Sequence, residues 1–125
     1  MPAAIMPSDA RDIVPTIDKI LAQFEGNEIV PILHKTAAAW SESDIVALEH
    51  YEDWCNCVND DQERSYMRNL VQERNRIMAK RFAALHADGH KVFVAVGALH
   101  MVGPDGLPSL LRAMGFEVQR VVPAE

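Results

Sequence analysis

The chain is short of basic residues and has no long hydrophobic run. It contains 12 lysine and arginine residues against 18 aspartate and glutamate residues, which gives a formal net charge of -6. Nucleic acids and anionic membranes select basic protein surfaces, so this balance argues against both as partners. No apolar stretch approaches the roughly 18 residues that a membrane span needs. The sequence therefore predicts a globular chain with no membrane span and no nucleic-acid partner.

Cysteine is also scarce, since Cys55 and Cys57 are the only two in 125 residues. A bridge between residues two positions apart demands an unusual geometry. Two cysteines also cannot complete a structural zinc site by themselves. We therefore predict two reduced thiols on a helix and no dependence of folding on a disulfide.

The first residues lack the parts of a secretion signal. Residues 1–7 contain no basic residue and no long apolar core, so no signal peptide is predicted there. The length of 125 residues fits one domain or part of a larger one. The hydrophobic fraction of 49% is ordinary for a globular protein and argues against disorder.

Hydrophobic spacing and helix-start residues predict four helices in the first two thirds of the chain. The four predicted helices run from Ser8 or Asp12 to Gly26, from Asn27 to Trp40, from Ser41–Ser43 to Asn59, and from Asp61 to Ala87. In the second helix the apolar stripe predicts burial of Ile29, Leu33, Ala37 and Trp40. In the third, the acidic residues point to different faces and read as a solvated surface.

The longest predicted helix carries an arginine within its apolar stripe. Arg74 lies four residues after Leu70 and four before Met78. An arginine that faces a core must be paired or line a polar cavity, because an unpaired buried charge costs several kcal/mol. Two readings stay open. Arg74 either reaches out to solvent or a nearby glutamate, or it is held for a functional site.

Beyond the longest helix the pattern changes to short apolar runs. Residues 91–96 are β-branched and aromatic, which predicts a strand buried on both faces. A short helix over 107–114 and a strand over 116–122 complete a β-α-β unit with parallel strands. The predicted fold class is α+β, with helices followed by this unit as part of a larger sheet. The predicted segments are a helical part, 1–60, and the long helix with the β-α-β unit, 61–125.

The turn after the first predicted strand holds the residue best placed for chemistry. Ligands bind open α/β sheets where strands end and loops lead into helices, and His100 lies there in a Gly-x-x-His pattern that begins at Gly97. Glycine permits a tight turn, and a neutral imidazole can bind a metal or act as a base. The loop over 103–106 is either an anion cradle or a plain turn.

The order of the motifs is more specific than any one of them. Arg74-Asn75-x-x-Met78 on a long helix precedes the sequence Val-Gly-Ala-Leu-His-Met-Val-Gly, then Gly-Leu-x-x-Leu-Leu and Gly-Phe-x-Val. This order resembles the TraB/GumN family, which is related to the Tiki-type metalloproteases. The resemblance is strongest from about Glu73 to Val122 and covers the later half of the family's usual domain.

The resemblance implies a domain with two Gly-x-x-His motifs, one in each half, and a glutamate in the first half. Gly97 and His100 form the second motif here, and Arg74 is the arginine of the pattern, followed by Asn75. It implies that the intact protein is a metal-dependent hydrolase of peptides or proteins. The compartment stays open, and the cell envelope is one option for the full-length protein. His100 is then a catalytic residue and a ligand to Mn, Co or Zn. Arg74 orients a carboxylate or stabilises developing negative charge.

The residues leave alternatives to hydrolysis open. The chain offers one obvious ligand where a metal site ordinarily needs at least three, so we predict no activity from this chain alone. The first alternative is a non-catalytic module that binds peptides, or inhibits peptide signalling, through Arg74 and His100. The second is a truncated chain that assembles as a homodimer through its unpaired strand. The missing partner is thus an N-terminal half or a second copy.

Overall fold

The computed structural model describes residues 10–122, and this part of the chain is helical. Its segments are α1 (Ala10–Glu25), α2 (Ile29–Ser41), α3 (Ile45–Glu49), α4 (Tyr51–Trp54), α5 (Asp61–Met67), a π-helical segment (Arg68–Glu73), α6 (Arg74–Ala87), a 3₁₀ turn (Ala98–Met101) and α7 (Leu107–Ala113). No helix among these residues combines the length and apolar character that crossing a membrane requires.

The predicted α+β fold class is wrong, because residues 10–122 contain no strand. The two segments expected to be strands, 91–96 and 116–122, have no regular secondary structure. A strand exists only when a neighbouring backbone takes its hydrogen bonds. Within the described chain neither segment pairs with the other or with a third. Phe93 is 93% exposed, where a doubly buried strand was predicted.

The first two helices lie close to their predicted positions, but their apolar faces are not covered. Leu33 and Trp40 are exposed, and the buried side chain of α2 is that of Ala39. Apolar spacing identifies one face of a helix, yet it does not supply the surface that covers this face. The predicted caps, Ser8 and Asp12, and the predicted leader over 1–7 lie outside the residues whose side chains are described.

The described residues form two compact units, with the boundary between Ala38 and Ala39. The first unit holds α1 and most of α2. The second holds every later element, including all the motif residues that the sequence singled out. The predicted division of the domain into residues 1–60 and 61–125 concerns the intact domain and stays a prediction.

The longest helical segment of the second unit follows the prediction closely. It runs from Asp61 to Ala87, although its middle six residues are π-helical. The Asp60 carboxylate caps it by accepting a hydrogen bond from the Glu63 amide at 2.8 Å. The Glu63 carboxylate in turn accepts from the Asn59 amide at 2.7 Å. These two bonds satisfy backbone donors that a helix start otherwise leaves unpaired.

The core of the second unit lies between this long segment and the elements on either side of it in sequence. α6 packs against α7, and the 3₁₀ turn packs against α3, α7 and the π-helical segment. The buried residues of this unit, apart from Gly106, are Ala39, Leu48, Cys55, Met67, Asn75, Ala79 and Leu107. The packing holds the 3₁₀ turn, and with it His100, from three sides.

The helix predicted from Ser41–Ser43 to Asn59 is interrupted. It divides at His50 into α3 and α4 and ends at Trp54. The chain then turns, and Cys55 and Cys57 form a disulfide with their Cα atoms 5.2 Å apart. The prediction of two reduced thiols on a helix is therefore wrong. The turn brings the two Cα atoms into the range that a bridge requires.

Candidate functional site

The 3₁₀ turn carries His100 close to the start of α7. The His100 amide donates to the Gly97 carbonyl at 3.0 Å, which closes the turn. Gly97 has φ -62° and ψ 151°, and a Cβ at this position would make only ordinary contact with the His100 ring. The turn therefore does not use the conformational freedom that glycine permits. The glycine of the motif has no conformational requirement here.

A buried asparagine connects His100 to the loop before α7. The side chain of Asn75, in α6, is only 1% exposed. Its Nδ2 donates to the backbone carbonyl of Asp105 at 2.8 Å, and its Oδ1 lies 2.7 Å from Nδ1 of His100. A buried amide with satisfied donor and acceptor avoids the free-energy penalty of an unpaired polar group. This network is the geometric centre of the candidate site.

The network fixes which ring nitrogen of His100 carries the proton. A carbonyl oxygen accepts only, so the group that faces Asp105 must be the NH₂ of Asn75. The amide oxygen then faces His100, and Nδ1 must donate to it. In the neutral ring this places the hydrogen on Nδ1 and leaves a lone pair on Nε2. The site thus presents Nε2 as a base or a ligand atom.

Arg74 acts electrostatically on the same ring. Burial, and secondly the positive charge of Arg74, hold the pKa of His100 below its usual range. Both effects disfavour a second positive charge at this position. Arg74 is half-buried, and no carboxylate among residues 10–122 is paired with it. The structure therefore brings together the two residues that the sequence selected, and a glutamate partner for Arg74 is not found in that range.

The chain matches the model of the TraB/PrgY/gumN family over residues 9–120. It belongs to that family. The resemblance drawn from the order of the motifs is therefore confirmed. No curated protein and no solved structure matches the chain significantly.

The loop before α7 in this TraB-family chain is a plain turn. The Gly106 amide donates to the Gly103 carbonyl at 3.1 Å, and the Ser109 hydroxyl donates to the same carbonyl at 2.9 Å. A Cβ at Gly106 would collide with the backbone of Val102, so this position requires glycine for space. The Gly106 amide donates within the loop, so it is not available to bind an anion. The interpretation of this loop as an anion cradle therefore lacks its principal donor.

Asp105 is the member of the site that sequence reasoning missed. Its carbonyl holds Asn75, and its carboxylate accepts from Arg76 at 3.2 Å. Arg76 also pairs with Glu73 at the end of the π-helical segment. Asn75 lies on the apolar side of its helix, four positions before the small residue Ala79. A polar residue at such a position indicates a buried amide. Nothing in the sequence indicates that a backbone carbonyl is its partner.

The donor set of this chain does not fit a complete metal site. No group of three or more histidine, cysteine, aspartate or glutamate side chains able to hold an ion occurs among residues 10–122. His100 offers one nitrogen, and the neighbouring charge of Arg74 opposes a cation. A divalent metal in a protein ordinarily takes at least three protein ligands. Ligands for Mn, Co or Zn would therefore have to come from outside the described residues.

Proposed function

We propose that this TraB-family chain supplies one half of a peptide-hydrolysing centre. His100 is the proton acceptor, and Arg74 is the cationic group beside it. One observation carries the proposal: Asn75 holds the Nδ1–H of His100, so that the Nε2 lone pair is available. The positive charge of Arg74, together with burial, keeps the ring unprotonated by lowering its pKa.

The chemical step uses only these two side chains. Nε2 of His100 takes a proton from a water molecule, and the oxygen of that water bonds to the carbonyl carbon of the peptide. Negative charge then develops on the former carbonyl oxygen, where the guanidinium of Arg74 stabilises it. The proton on Nε2 passes to the leaving amine as the C–N bond breaks. The products are a carboxylic acid and an amine, which become a carboxylate and an ammonium by proton exchange, and His100 returns to its neutral form.

The proposal treats the centre as incomplete in this chain. The remaining polar groups come from an N-terminal half of the domain or from a second copy of the chain. The described residues place one suitable metal donor, His100, at this centre. Metal binding by the assembled centre therefore stays a prediction. Light scattering across a range of concentrations tests the second-copy version, which a strictly monomeric chain would contradict.

The test is peptide hydrolysis by the full chain over a wide range of concentration, alone and supplied with the N-terminal half of the family's domain, with Mn, Co or Zn added and with chelator. We expect His100→Ala to lower the rate by about 10²-fold or more, which is the usual contribution of a general base. Arg74→Gln should lower it by about tenfold or more. The matched controls are the exposed residues His90→Ala and Arg81→Gln. The proposal fails if no condition gives hydrolysis that depends on His100.

A second candidate function is peptide binding without catalysis. The observation that favours it is the absence of a metal-ligand group among residues 10–122, combined with a cationic side chain next to a neutral imidazole. Such a pair binds a peptide carboxylate without any metal. Equal peptide affinity with and without chelator, in a chain that leaves the peptide intact, favours this function. Strict dependence of binding on metal rules it out.

A further inference from the structure

A cavity of about 250 Å³ adjoins the candidate site in the second unit. Its lining includes the apolar side chains of Leu48 and Met67, which are buried, and of Val71, which is half-buried. Four carboxylates also line it, and three of them, those of Glu49, Glu52 and Asp53, are exposed to solvent. The cavity therefore combines apolar side chains with a group of carboxylates, which we call its acidic mouth.

The acidic mouth carries negative charge that this part of the chain does not neutralise. Two of its carboxylates have cationic or imidazole partners: Asp105 accepts from Arg76 at 3.2 Å, and Asp53 lies 3.0 Å from Nδ1 of His50. No cationic side chain among residues 10–122 is paired with Glu49 or Glu52. Charge complementarity thus favours a cationic ligand over a neutral or anionic one.

The position of the cavity relates it to the hydrolytic half-site. Asn75 and Leu99 both contribute to its lining, and they are the sequence neighbours of Arg74 and His100. Asp105, whose backbone carbonyl accepts the hydrogen bond from Asn75, also lines the cavity. A group held in the cavity therefore lies directly beside the turn that carries His100.

We propose that this cavity binds a lysine or arginine side chain of the peptide. Long basic side chains combine an apolar stem with a charged end, so the stem fits against Leu48, Met67 and Val71. The charged end then meets Glu49 and Glu52 at the mouth. The inference rests on the proposed function, because it assigns a side-chain preference to the same peptide substrate.

The test compares three capped pentapeptides that have alanine at every position except the central one. The central residue is lysine, norleucine or glutamate, and binding to the ¹⁵N-labelled full chain is followed by NMR. Norleucine keeps the alkyl chain of lysine and lacks its charge. We expect the lysine peptide to shift the amides of residues 48–53 and 99–105. It should bind about fivefold more tightly than the norleucine peptide, the effect of two exposed ion pairs.

The double substitution Glu49→Gln with Glu52→Gln should remove this preference and leave the norleucine peptide unaffected. Glu117→Gln, an exposed carboxylate outside the cavity, is the matched control and should change nothing. Equal affinity for the lysine and norleucine peptides overturns the proposal. The proposal also fails if the double substitution leaves the lysine preference intact. It fails as well if the lysine peptide shifts no amide in residues 48–53 or 99–105.

Two readouts separate this inference from the hydrolytic proposal. His100→Gln should leave the lysine preference in place while it removes hydrolysis. A chain that prefers the lysine peptide but cleaves nothing, at any concentration and also when supplied with the N-terminal half, supports the cavity assignment and refutes the hydrolytic role. A chain that cleaves the lysine and norleucine peptides with equal KM refutes the cavity assignment and supports the hydrolytic role.

Discussion

His100 owes its chemical state to three neighbours of different kinds. Asn75 fixes the tautomer through a hydrogen bond, Arg74 disfavours protonation through its charge, and the packed 3₁₀ turn partly removes the ring from water. The hydrogen bond and the charge can each be removed by one substitution, at Asn75 and at Arg74.

Replacing Arg74 by glutamine should raise the pKa of His100 towards its usual value. The substitution removes the positive charge that disfavours a protonated ring, while most of the desolvation stays. The measurement is an NMR titration of the His100 ring protons. Arg81→Gln, which removes an exposed charge from the same helix, is the control. An unchanged pKa in Arg74→Gln would show that burial alone causes the shift.

The lowered pKa of His100 also fixes the sign of its contribution to stability. The unfolded chain binds a proton at this histidine more readily than the folded chain does. The contribution is therefore fully present above the unfolded pKa of about 6.5 and is lost as pH falls through the lower folded pKa. We expect the free energy of unfolding of His100→Gln to depend less on pH below 6.5 than that of the wild type, as measured by urea denaturation. Parallel curves would contradict this.

Replacing Asn75 by alanine should lower the free energy of unfolding by about 1–3 kcal/mol. The change leaves the Asp105 carbonyl and the His100 Nδ1–H without their buried partner. Urea denaturation measures the loss, with Asn69→Ala, an exposed position of the same helical segment, as the control. The ¹⁵N shifts of the His100 ring should also change from one tautomer to a mixture. A single tautomer in the variant would mean that another group fixes the ring.

At the scale of elements, the π-helical segment Arg68–Glu73 decides which residue of α6 enters the core. In a regular α-helix, seven residues make about two turns, so Arg74 would share the face of Met67. A π-helix has more residues per turn, and the shared face therefore recurs about one residue later. Asn75 accordingly takes the buried position, and Arg74 lies beside it.

The sequence could therefore predict the extent of this helix but not its rotation. Hydrophobic spacing and helix-start residues predict the bounds of the long helix correctly, and the apolar stripe selects Arg74. The buried Asn75 was recognised only as a motif position, because the usual helical period assumes no wider turn. The pairing of Asn75 with a carbonyl thirty residues away depends on how α6 and the 3₁₀ turn pack.

The start of α5 offers a prediction about one element alone. Asp60→Ala should lower the free energy of unfolding by about 1 kcal/mol, because the Glu63 amide loses the carboxylate that caps it. Asp61→Asn, at the next position, removes a charge and no cap bond, so it should cost well under half of that. Urea denaturation of both variants gives the comparison. Equal losses would show that charge near the helix start, and not the cap, is responsible.

At the scale of the whole molecule, the burial pattern separates two kinds of apolar residue. Leu107 is 3% exposed, while Phe93 is 93% exposed. Leu107→Ala should therefore lower the free energy of unfolding by about 2–5 kcal/mol. Phe93→Ala should change it by less than about 0.5 kcal/mol. Urea denaturation of the full chain measures both, and a large loss in Phe93→Ala would mean that residues 91–96 are covered in solution.

The contrast between Leu107 and Phe93 also shows that burial of an apolar segment could not be predicted from the sequence alone. The apolar run at residues 91–96 predicts a strand buried on both faces, and both the strand and its burial are wrong. The hydrophobicity of a segment determines the free energy that it gains on burial. Whether the segment is buried depends on another part of the protein that packs against it. Helices need no such partner for their backbone hydrogen bonds, so α1, α2, α6 and α7 could be placed from local spacing alone.

The Asp105 carbonyl has a consequence for any mutational survey of this protein. Every amino acid carries the same backbone carbonyl, so no side-chain substitution at position 105 deletes the acceptor that orients Asn75. A saturation scan would record changes there only through Arg76 or the shape of the loop, and would underrate the position. Replacing the peptide bond after Asp105 by an ester, through chemical synthesis, weakens that carbonyl as an acceptor, and it also removes the Gly106 amide that donates to the Gly103 carbonyl. A backbone edit, unlike a side-chain substitution, therefore reaches the acceptor on which the orientation of Asn75 depends.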